Sequence, residues 1–92
     1  MWYVYIIRCS DGSLYAGSTT DVDRRVKEHN SKKGGSYTRM RTPVKLKYKE
    51  EQSGRIAAQK RESQIKRWTR AKKLALIAQD KSVLCNLSVS HD

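Results

Sequence analysis

The feature that most constrains the fold is the dipeptide Asp11-Gly12, which lies between two β-rich runs near the start of the chain. This combination is a strong short-range signal for a β-hairpin. A two-residue loop would place Tyr5 and Tyr15 on opposite faces of the hairpin. A three-residue loop over residues 10–12, with Gly12 left-handed in a G1 bulge, instead pairs Tyr5 with Gly17 and residue 7 with Tyr15.

The three-residue loop is favoured because it sorts the side chains of the hairpin by face, whereas a slip of one residue would mix them. One face then carries the apolar side chains Trp2, Val4, Ile6, Leu14 and Ala16. The opposite face carries Tyr3, Tyr5, Ile7, Tyr15 and Gly17. We therefore expect two tyrosine hydroxyls on one face, with a glycine opposite Tyr5 that makes room for a ligand.

The charge of the chain indicates a polyanionic partner. Its 92 residues are enough for one small domain, and 20 Lys and Arg stand against 9 Asp and Glu, for a net charge of +11. Such a balance is typical of nucleic-acid binding and less often of binding to an anionic membrane; a merely soluble basic protein is the alternative. No apolar run approaches the ~20 residues of a membrane span, and no secretory signal pattern opens the chain.

The two cysteines, Cys9 and Cys85, have no metal-ligand spacing and form no disulfide framework. We interpret both as reduced thiols, which are typical of a cytoplasmic protein. The sequence contains no internal repeat and no domain boundary before its weakly patterned end. We therefore predict one domain over residues 1–80 and a C-terminal tail over residues 81–92.

A helix is predicted over about residues 22–30, because polar residues suited to capping precede it. Val22 and Val26 lie one turn apart and can pack on the sheet. Arg25 and His29 are also one turn apart, on a neighbouring stripe of the same helix. The pattern thus predicts a basic pair beside the hairpin.

The next segment, residues 31–49, is basic and contains no acid. Tyr37 could stack on a base or be an ordinary packed loop aromatic. The alternation over residues 44–49 predicts a strand with one face in the core and lysines on the other, where they bind a partner or guard the edge against aggregation. The basic residues of the segment are Lys32, Lys33, Arg39, Arg41, Lys45, Lys47 and Lys49.

Two more helices are predicted, over about residues 55–69 and 71–79. The first has an apolar stripe of Ala58, Ile65 and Trp68, and Glu62 falls within it. A carboxylate that points inward needs a metal, a cation or hydrogen bonds. The alternative is a partly exposed glutamate that pairs along the helix with Lys66 or Lys60.

These residue types suit phosphodiester hydrolysis. One carboxylate, such as Glu62, and a substrate phosphate can together hold Mg²⁺, which acts as a Lewis acid. Arg25 could stabilise charge on the phosphorus, and a tyrosine or His29 could deprotonate a water. Tyrosine is a poor base unless nearby cations lower its pKa, and a tyrosine pair on a strand is more often structural than catalytic.

The chain resembles the GIY-YIG endonuclease superfamily from about Trp2 to Ile77. Residues 3–5 (Tyr-Val-Tyr) stand at the GIY position and residues 15–17 (Tyr-Ala-Gly) at the YIG position. Arg25 and His29 match the Arg-x-x-x-His helix of the family, and Glu62 matches its glutamate-bearing helix. The chain is most similar to small stand-alone bacterial members. Two departures are Tyr3 for the first glycine and Ala16 for the isoleucine of the motifs.

The resemblance implies an α+β fold, with a three-stranded antiparallel sheet flanked by helices. It implies DNA cleavage that depends on Mg²⁺ or Mn²⁺, with Glu62 as the metal ligand and Arg25 on the scissile phosphate. Tyr5 or Tyr15 would serve as the base or orient the water, His29 would be a supporting group, and Gly17 would permit close approach. An asparagine near the end of the domain is common in the family, and Asn86 is the only candidate.

The resulting function hypothesis is a metal-dependent DNA endonuclease that recognises a flap, branch or lesion rather than a sequence. The alternative is a nucleic-acid-binding module whose hydrolytic activity is weak or lost, and RNA is a further possible substrate because backbone contacts dominate binding in either case. The residues predicted to contact nucleic acid are Lys32, Lys33, Arg39, Arg41 and Lys66.

Overall fold

The computed structural model describes residues 1–31 and 41–79. Strands β1 (Trp2–Arg8), β2 (Leu14–Thr19) and β3 (Lys45–Gln52) form an antiparallel sheet in the order β2-β1-β3. The helices are α1 (Val22–Asn30), α2 (Arg55–Lys66) and α3 (Arg70–Ala78). The predicted α+β fold is confirmed, although α2 ends three residues earlier than expected.

The hairpin has the predicted three-residue loop. Tyr5 lies opposite Gly17, and Ile7 lies opposite Tyr15. The N–H of Gly12 donates to the carbonyl of Cys9 over 2.9 Å, and Gly12 has a φ of 86°. This left-handed conformation favours glycine, because a side chain at a positive φ is strained. The local sequence therefore fixes the register that sorts the two faces.

Helices cover both faces of the sheet. On the face that we call the α2 face, Val4 and Ile6 pack with Ala58 and Ile65 of α2. On the opposite face, the α1 face, Tyr5 and Ile7 pack with Val22 and Val26 of α1, among other residues. The central strand is consequently buried on both sides. Tyr5 and Tyr15 lie on the α1 face, as predicted.

Strand β3 contains a β-bulge that the alternation in its sequence does not reveal. Ile6 lies opposite Tyr48, but the next residue, Ile7, lies opposite Leu46, so that Lys47 is the extra residue. Side chains on either side of a bulge alternate out of phase. Leu46 therefore packs on the α1 face and Tyr48 on the α2 face, and the prediction of a single apolar face for this strand was wrong.

Polar contacts hold the helices to the sheet. The side chain of Asn30, at the end of α1, accepts from the N–H of Val44 over 2.6 Å and donates to its carbonyl over 3.2 Å. Arg61 of α2 forms an ion pair of 2.8 Å with Glu50 of β3. These contacts fix both helices relative to the strands, and with them the side chains that the helices carry.

Several predictions concern residues outside the described part of the chain. They are the nucleic-acid contacts of Lys32, Lys33 and Arg39, the roles of Tyr37, Cys85 and Asn86, and the tail over 81–92. Cys9 is a buried free thiol, as expected. No helix within residues 1–31 and 41–79 is long and apolar enough to cross a membrane.

Candidate active site

The candidate residues meet at the edge of the sheet that strand β2 forms. α1 covers one face and α2 the other, so side chains from both helices reach this edge. Tyr5, Tyr15, Arg25 and His29 form what we call the tyrosine–histidine cluster. Ser18, Glu62 and Lys66 form the carboxylate cluster. The ammonium of Lys66 lies 5.4 Å from the centroid of the Tyr15 ring, which brings the two clusters together.

Tyr5 and His29 form a buried hydrogen bond. The hydroxyl of Tyr5 lies 3.0 Å from Nε2 of His29, and both residues are buried. Burial raises the pKa of Tyr5 to about 12, against the opposing effect of a hydrogen bond from Arg25. Burial, followed by the positive charge of Arg25, lowers the pKa of His29. Near neutral pH the phenol is therefore protonated and forms this hydrogen bond with a neutral imidazole.

Arg25 links this buried pair to the surface. Its guanidinium pairs with Glu28 over 3.0 Å and also hydrogen-bonds the Tyr5 oxygen. Burial alone would lower the pKa of Arg25, but the hydrogen bonds to Glu28 and Tyr5 outweigh it and raise the pKa. The side chain is 30% exposed. A fixed cation thus stands where an anionic ligand can reach it.

Tyr15 is the more accessible of the two tyrosines. It is half-buried, whereas Tyr5 is 1% exposed. Its ring meets the ring of His29 edge-on, with 5.7 Å between the centroids. The Tyr15 ring therefore contacts His29 of the buried pair and also lies close to the Lys66 ammonium.

Gly17 has a different role from the one predicted. A Cβ atom at this position would lie 2.6 Å from Cζ of Tyr5 and still closer to its hydroxyl. The ring of Tyr5 thus fills the space that the missing side chain leaves. The expectation that Gly17 makes room for a ligand is corrected, because the glycine makes room for Tyr5.

The carboxylate of Glu62 is held from two sides. The hydroxyl of Ser18 donates to Oε1 over 2.6 Å, and the ammonium of Lys66 lies 2.7 Å from Oε2. This bond raises the pKa of Lys66 against the effect of burial. The Glu62 side chain is 20% exposed. The structure thus contains the ion pair with Lys66 that the sequence offered as an alternative, at the edge of the sheet.

Ser18 was not singled out from the sequence, although a signal was present. In the predicted register residue 18 lies opposite Val4, on the α2 face. A serine at the edge of that face can reach the helix that packs on it. The combination of hairpin register and helix packing would therefore have placed the Ser18 hydroxyl near Glu62.

The donor set of the carboxylate cluster fits a hard divalent cation. Mg²⁺ and Mn²⁺ accept one carboxylate oxygen with waters and a substrate phosphate as the other ligands. Within the described ranges, no group of three or more His, Cys, Asp or Glu offers a closed cage. Glu62 would hold the metal, and Lys66, which is 45% exposed, has room to move aside.

The structure locates only two of the predicted nucleic-acid contacts. Lys66 belongs to the carboxylate cluster. Arg41 instead pairs with Asp11 of the hairpin loop over 3.1 Å, so it lies in neither cluster. The predicted role of Arg41 stays a prediction.

Residues 1–75 match the family model described as the GIY-YIG catalytic domain. The chain belongs to the GIY-YIG family, which is a nuclease superfamily. It is 58% identical over 74 residues to a UPF0213 protein of Haloquadratum walsbyi, covering 80% of this chain and 83% of that protein. A UPF0213 protein of Halobacterium salinarum is 53% identical over 76 residues, covering 83% and 99% of the two chains.

A solved structure agrees with this assignment. The solution NMR structure of a UPF0213 protein from Bacillus halodurans matches with a TM-score of 0.54 and 46% identity, covering 85% of this chain and 84% of that one. A UPF0213 protein of Staphylococcus aureus is 52% identical over 75 residues, covering 82% of this chain and 92% of that protein. The resemblance predicted from the sequence motifs is confirmed, and these relatives are themselves small.

Proposed function

We propose that the protein is a metal-dependent DNA endonuclease that cleaves phosphodiester bonds at structural features of DNA. The observation that carries this proposal is the convergence of Glu62, Tyr15 and Arg25 on the edge of one strand from opposite faces of the sheet. A carboxylate, an accessible phenol and a fixed guanidinium are the groups that this hydrolysis needs. Because these groups meet at the surface of the protein, a substrate as large as DNA can reach them.

Tyr15 is the better candidate for the group that deprotonates or orients the water. Tyr5 has a pKa of about 12, is almost fully buried and is already hydrogen-bonded to His29. A group in this state neither reaches the substrate nor gives up its proton easily. Tyr15 is accessible and its ring lies 5.4 Å from the Lys66 ammonium, beside the carboxylate cluster. Tyr5 and His29 then act as positioning residues for Arg25 and Tyr15.

Arg25 and Lys66 supply the positive charge. Arg25 is held by Glu28 and Tyr5 and would bind the scissile phosphate with its exposed side. Lys66 would leave Glu62 and contact a phosphate when a divalent metal takes its place on the carboxylate. Bound at Glu62, the metal would supply Lewis-acid stabilisation of charge on the phosphate. The hydroxyl of Ser18 keeps the carboxylate oriented in both states.

The alternative function is a nucleic-acid-binding module with weak or lost hydrolysis. One observation favours it, namely that Lys66 already neutralises Glu62. If the ion pair is permanent, the carboxylate serves only to hold Lys66 at the surface. The module would then bind phosphates without cleaving them.

The test compares end-labelled branched, flap and linear duplex DNA with Mg²⁺, with Mn²⁺ and with EDTA. We expect cleavage that requires the metal and is fastest on the branched or flap substrate. Binding in EDTA should fall with salt at a log–log slope of about −4 on duplex DNA if about five phosphates are contacted. Salt-dependent binding without cleavage in either metal would support the binding module instead.

A further inference from the structure

The outer side of α2 carries a groove that neither cluster uses. It has a volume of about 520 Å³, and most of its lining is on the exposed side of α2, whereas Trp68, which also lines it, packs partly against the core around Ile65. We call it the outer groove. Its lining includes Ile56, Gln59, Lys60, Ser63, Arg67 and Trp68.

The two helices that border the outer groove are strongly basic. Residues 55–79 contain eight Lys and Arg against one acid, Glu62, which Lys66 already neutralises. Residues 1–31 contain four of each sign. These helices therefore carry a net charge of +7, as residues 32–49 also do, and a polyanion is the partner that such a charge attracts.

Two cations and one apolar side chain stand exposed in the groove. Lys60 and Arg67 lie two turns apart on the same side of α2, and neither pairs with an acid among the residues of the described ranges. Ile56, one turn before Lys60, is 70% exposed. The groove thus offers a ligand two cations and an apolar contact on one side of the helix.

Trp68 adds an aromatic ring to the groove. The guanidinium of Arg61 lies 5.1 Å from the ring centroid, and the ammonium of Lys72 lies 4.5 Å from it. Arg61 is fixed by Glu50, but Lys72 is exposed and can exchange the ring for a phosphate. Aromatic rings on which bases stack, set among phosphate-binding cations, are the features of surfaces that bind single-stranded nucleic acid.

We propose that the outer groove binds a single-stranded segment of the substrate, with its phosphates on Lys60 and Arg67 and its bases on Ile56 and Trp68. A duplex cannot use Trp68 in this way, because its bases are stacked and paired. The proposal rests on the proposed function and names its substrate class, DNA in which a single strand joins a duplex. Gln59 and Ser63 lie within one turn of Glu62, so a strand that leaves the groove reaches the carboxylate cluster.

Binding in EDTA tests the groove without cleavage. The probes are a fluorescent duplex with a single-stranded overhang of about ten nucleotides and the same duplex with blunt ends. The variant Ile56→Ser/Lys60→Gln/Arg67→Gln changes three exposed side chains, so the fold is preserved. It should bind the overhang about tenfold more weakly and with a salt slope smaller by about 1.4.

The matched control is Arg24→Gln/Lys45→Gln, which removes the same charge from exposed positions on α1 and β3. It should retain the preference of the wild type for the overhang. Equal affinity of the groove variant and the control for the overhang would overturn the proposal.

Fluorescence gives a second measurement. In a Trp2→Phe protein Trp68 is the only tryptophan, and an oligothymidine should quench its emission as a base stacks on the ring. Unchanged emission at saturation would overturn the assignment of Trp68. Cleavage in Mg²⁺ without groove-dependent binding would refute the groove alone. Groove-dependent binding without cleavage would refute the proposed function alone.

Discussion

The two clusters at the edge of β2 differ in how firmly they are held. Tyr5 and His29 are buried, hydrogen-bonded to each other and shifted in pKa away from their charged forms. Glu62 and Lys66 are partly exposed and joined by an ion pair of 2.7 Å that solvent can reach. The tyrosine–histidine cluster is thus rigid and, apart from Arg25, uncharged. The carboxylate cluster is charged and able to rearrange.

This difference separates positioning from chemistry. Buried groups with raised or lowered pKa values resist a change of protonation, and partly exposed charges can exchange one partner for another. Tyr15 contacts His29 of the tyrosine–histidine cluster and also lies near Lys66 of the carboxylate cluster. It is therefore the residue at which the proposed division of roles is most easily tested.

The largest expected effect comes from Tyr15→Phe, with Tyr5→Phe as its matched control. Loss of the Tyr15 hydroxyl should reduce single-turnover cleavage by about 10²–10⁴-fold and leave the free energy of unfolding almost unchanged. Loss of the Tyr5 hydroxyl removes one buried hydrogen bond from His29 and one from Arg25. That change should destabilise the fold by about 1–3 kcal/mol and slow cleavage much less.

Single-turnover rates and urea unfolding of both proteins distinguish the two tyrosines. If Tyr5→Phe were folded and as inactive as Tyr15→Phe, the roles that we assign to them would be reversed.

The next effect is on packing, at Gly17. A Cβ atom there collides with the Tyr5 ring, so Gly17→Ala should destabilise the fold by about 1–3 kcal/mol and displace Tyr5 from His29. Gly54→Ala is the control, because no atom lies within 4 Å of its new Cβ and its φ of −174° is ordinary extended backbone. Thermal unfolding measures the melting temperature of each variant. Equal melting temperatures would show that the ring of Tyr5 moves aside freely.

A smaller effect concerns pH. The pKa of His29 is lowered in the folded protein, whereas in the unfolded chain it has its ordinary value of about 6.5. At a pH between these two pKa values, the unfolded chain therefore binds one more proton than the folded protein does. Stability is then fully present above pH 6.5 and falls as the pH drops towards the folded pKa, by up to about 1.4 kcal/mol per pH unit.

Urea unfolding between pH 7.5 and 5, at intervals of about half a unit, measures this slope, and His29→Gln supplies the control in which this contribution is absent. The same slope in both proteins would mean that His29 is not held in its neutral form.

The smallest effect is expected at Ser18. Ser18→Ala removes the hydrogen bond to Oε1 but leaves the carboxylate itself, so the affinity for Mn²⁺ should fall by about fivefold and the fold should be retained. Ser63→Ala, on the exposed side of the same helix as Glu62, is the control. Titration of Mn²⁺ by electron paramagnetic resonance measures the affinity. An unchanged value would remove Ser18 from the metal site.

The sequence predicted most of the fold because its signals are local. Asp11-Gly12 set the hairpin loop, and the alternation around it set which side chains share a face. Capping residues before Val22 marked the start of α1. The bulge at Lys47 was missed because a period of two continues through it, and only pairing with β1 shows that Tyr48 has changed faces.

The candidate site was predictable in composition but less so in geometry. Tyr5, Tyr15 and Glu62 were predicted from their positions in the sequence motifs, because a motif is recognised by residue identity and spacing alone. That Tyr5 is buried, and that its ring fills the space at Gly17, depends on how α1 packs over the sheet. The positions of separate elements relative to one another are not encoded in any local pattern.

In the proposed mechanism the carboxylate of Glu62 is needed for cleavage and not only for an ion pair with Lys66. The most direct test compares metal-dependent cleavage by Glu62→Gln with that by Glu51→Gln, which removes an exposed acid from β3. We predict that Glu62→Gln loses at least about a thousandfold in rate, stays folded and binds DNA no more weakly, whereas Glu51→Gln cleaves normally. Loss of a surface ion pair alone would cost only a few tenths of a kcal/mol and spare cleavage. Full activity in folded Glu62→Gln, with contaminating nucleases excluded, would contradict the proposed mechanism.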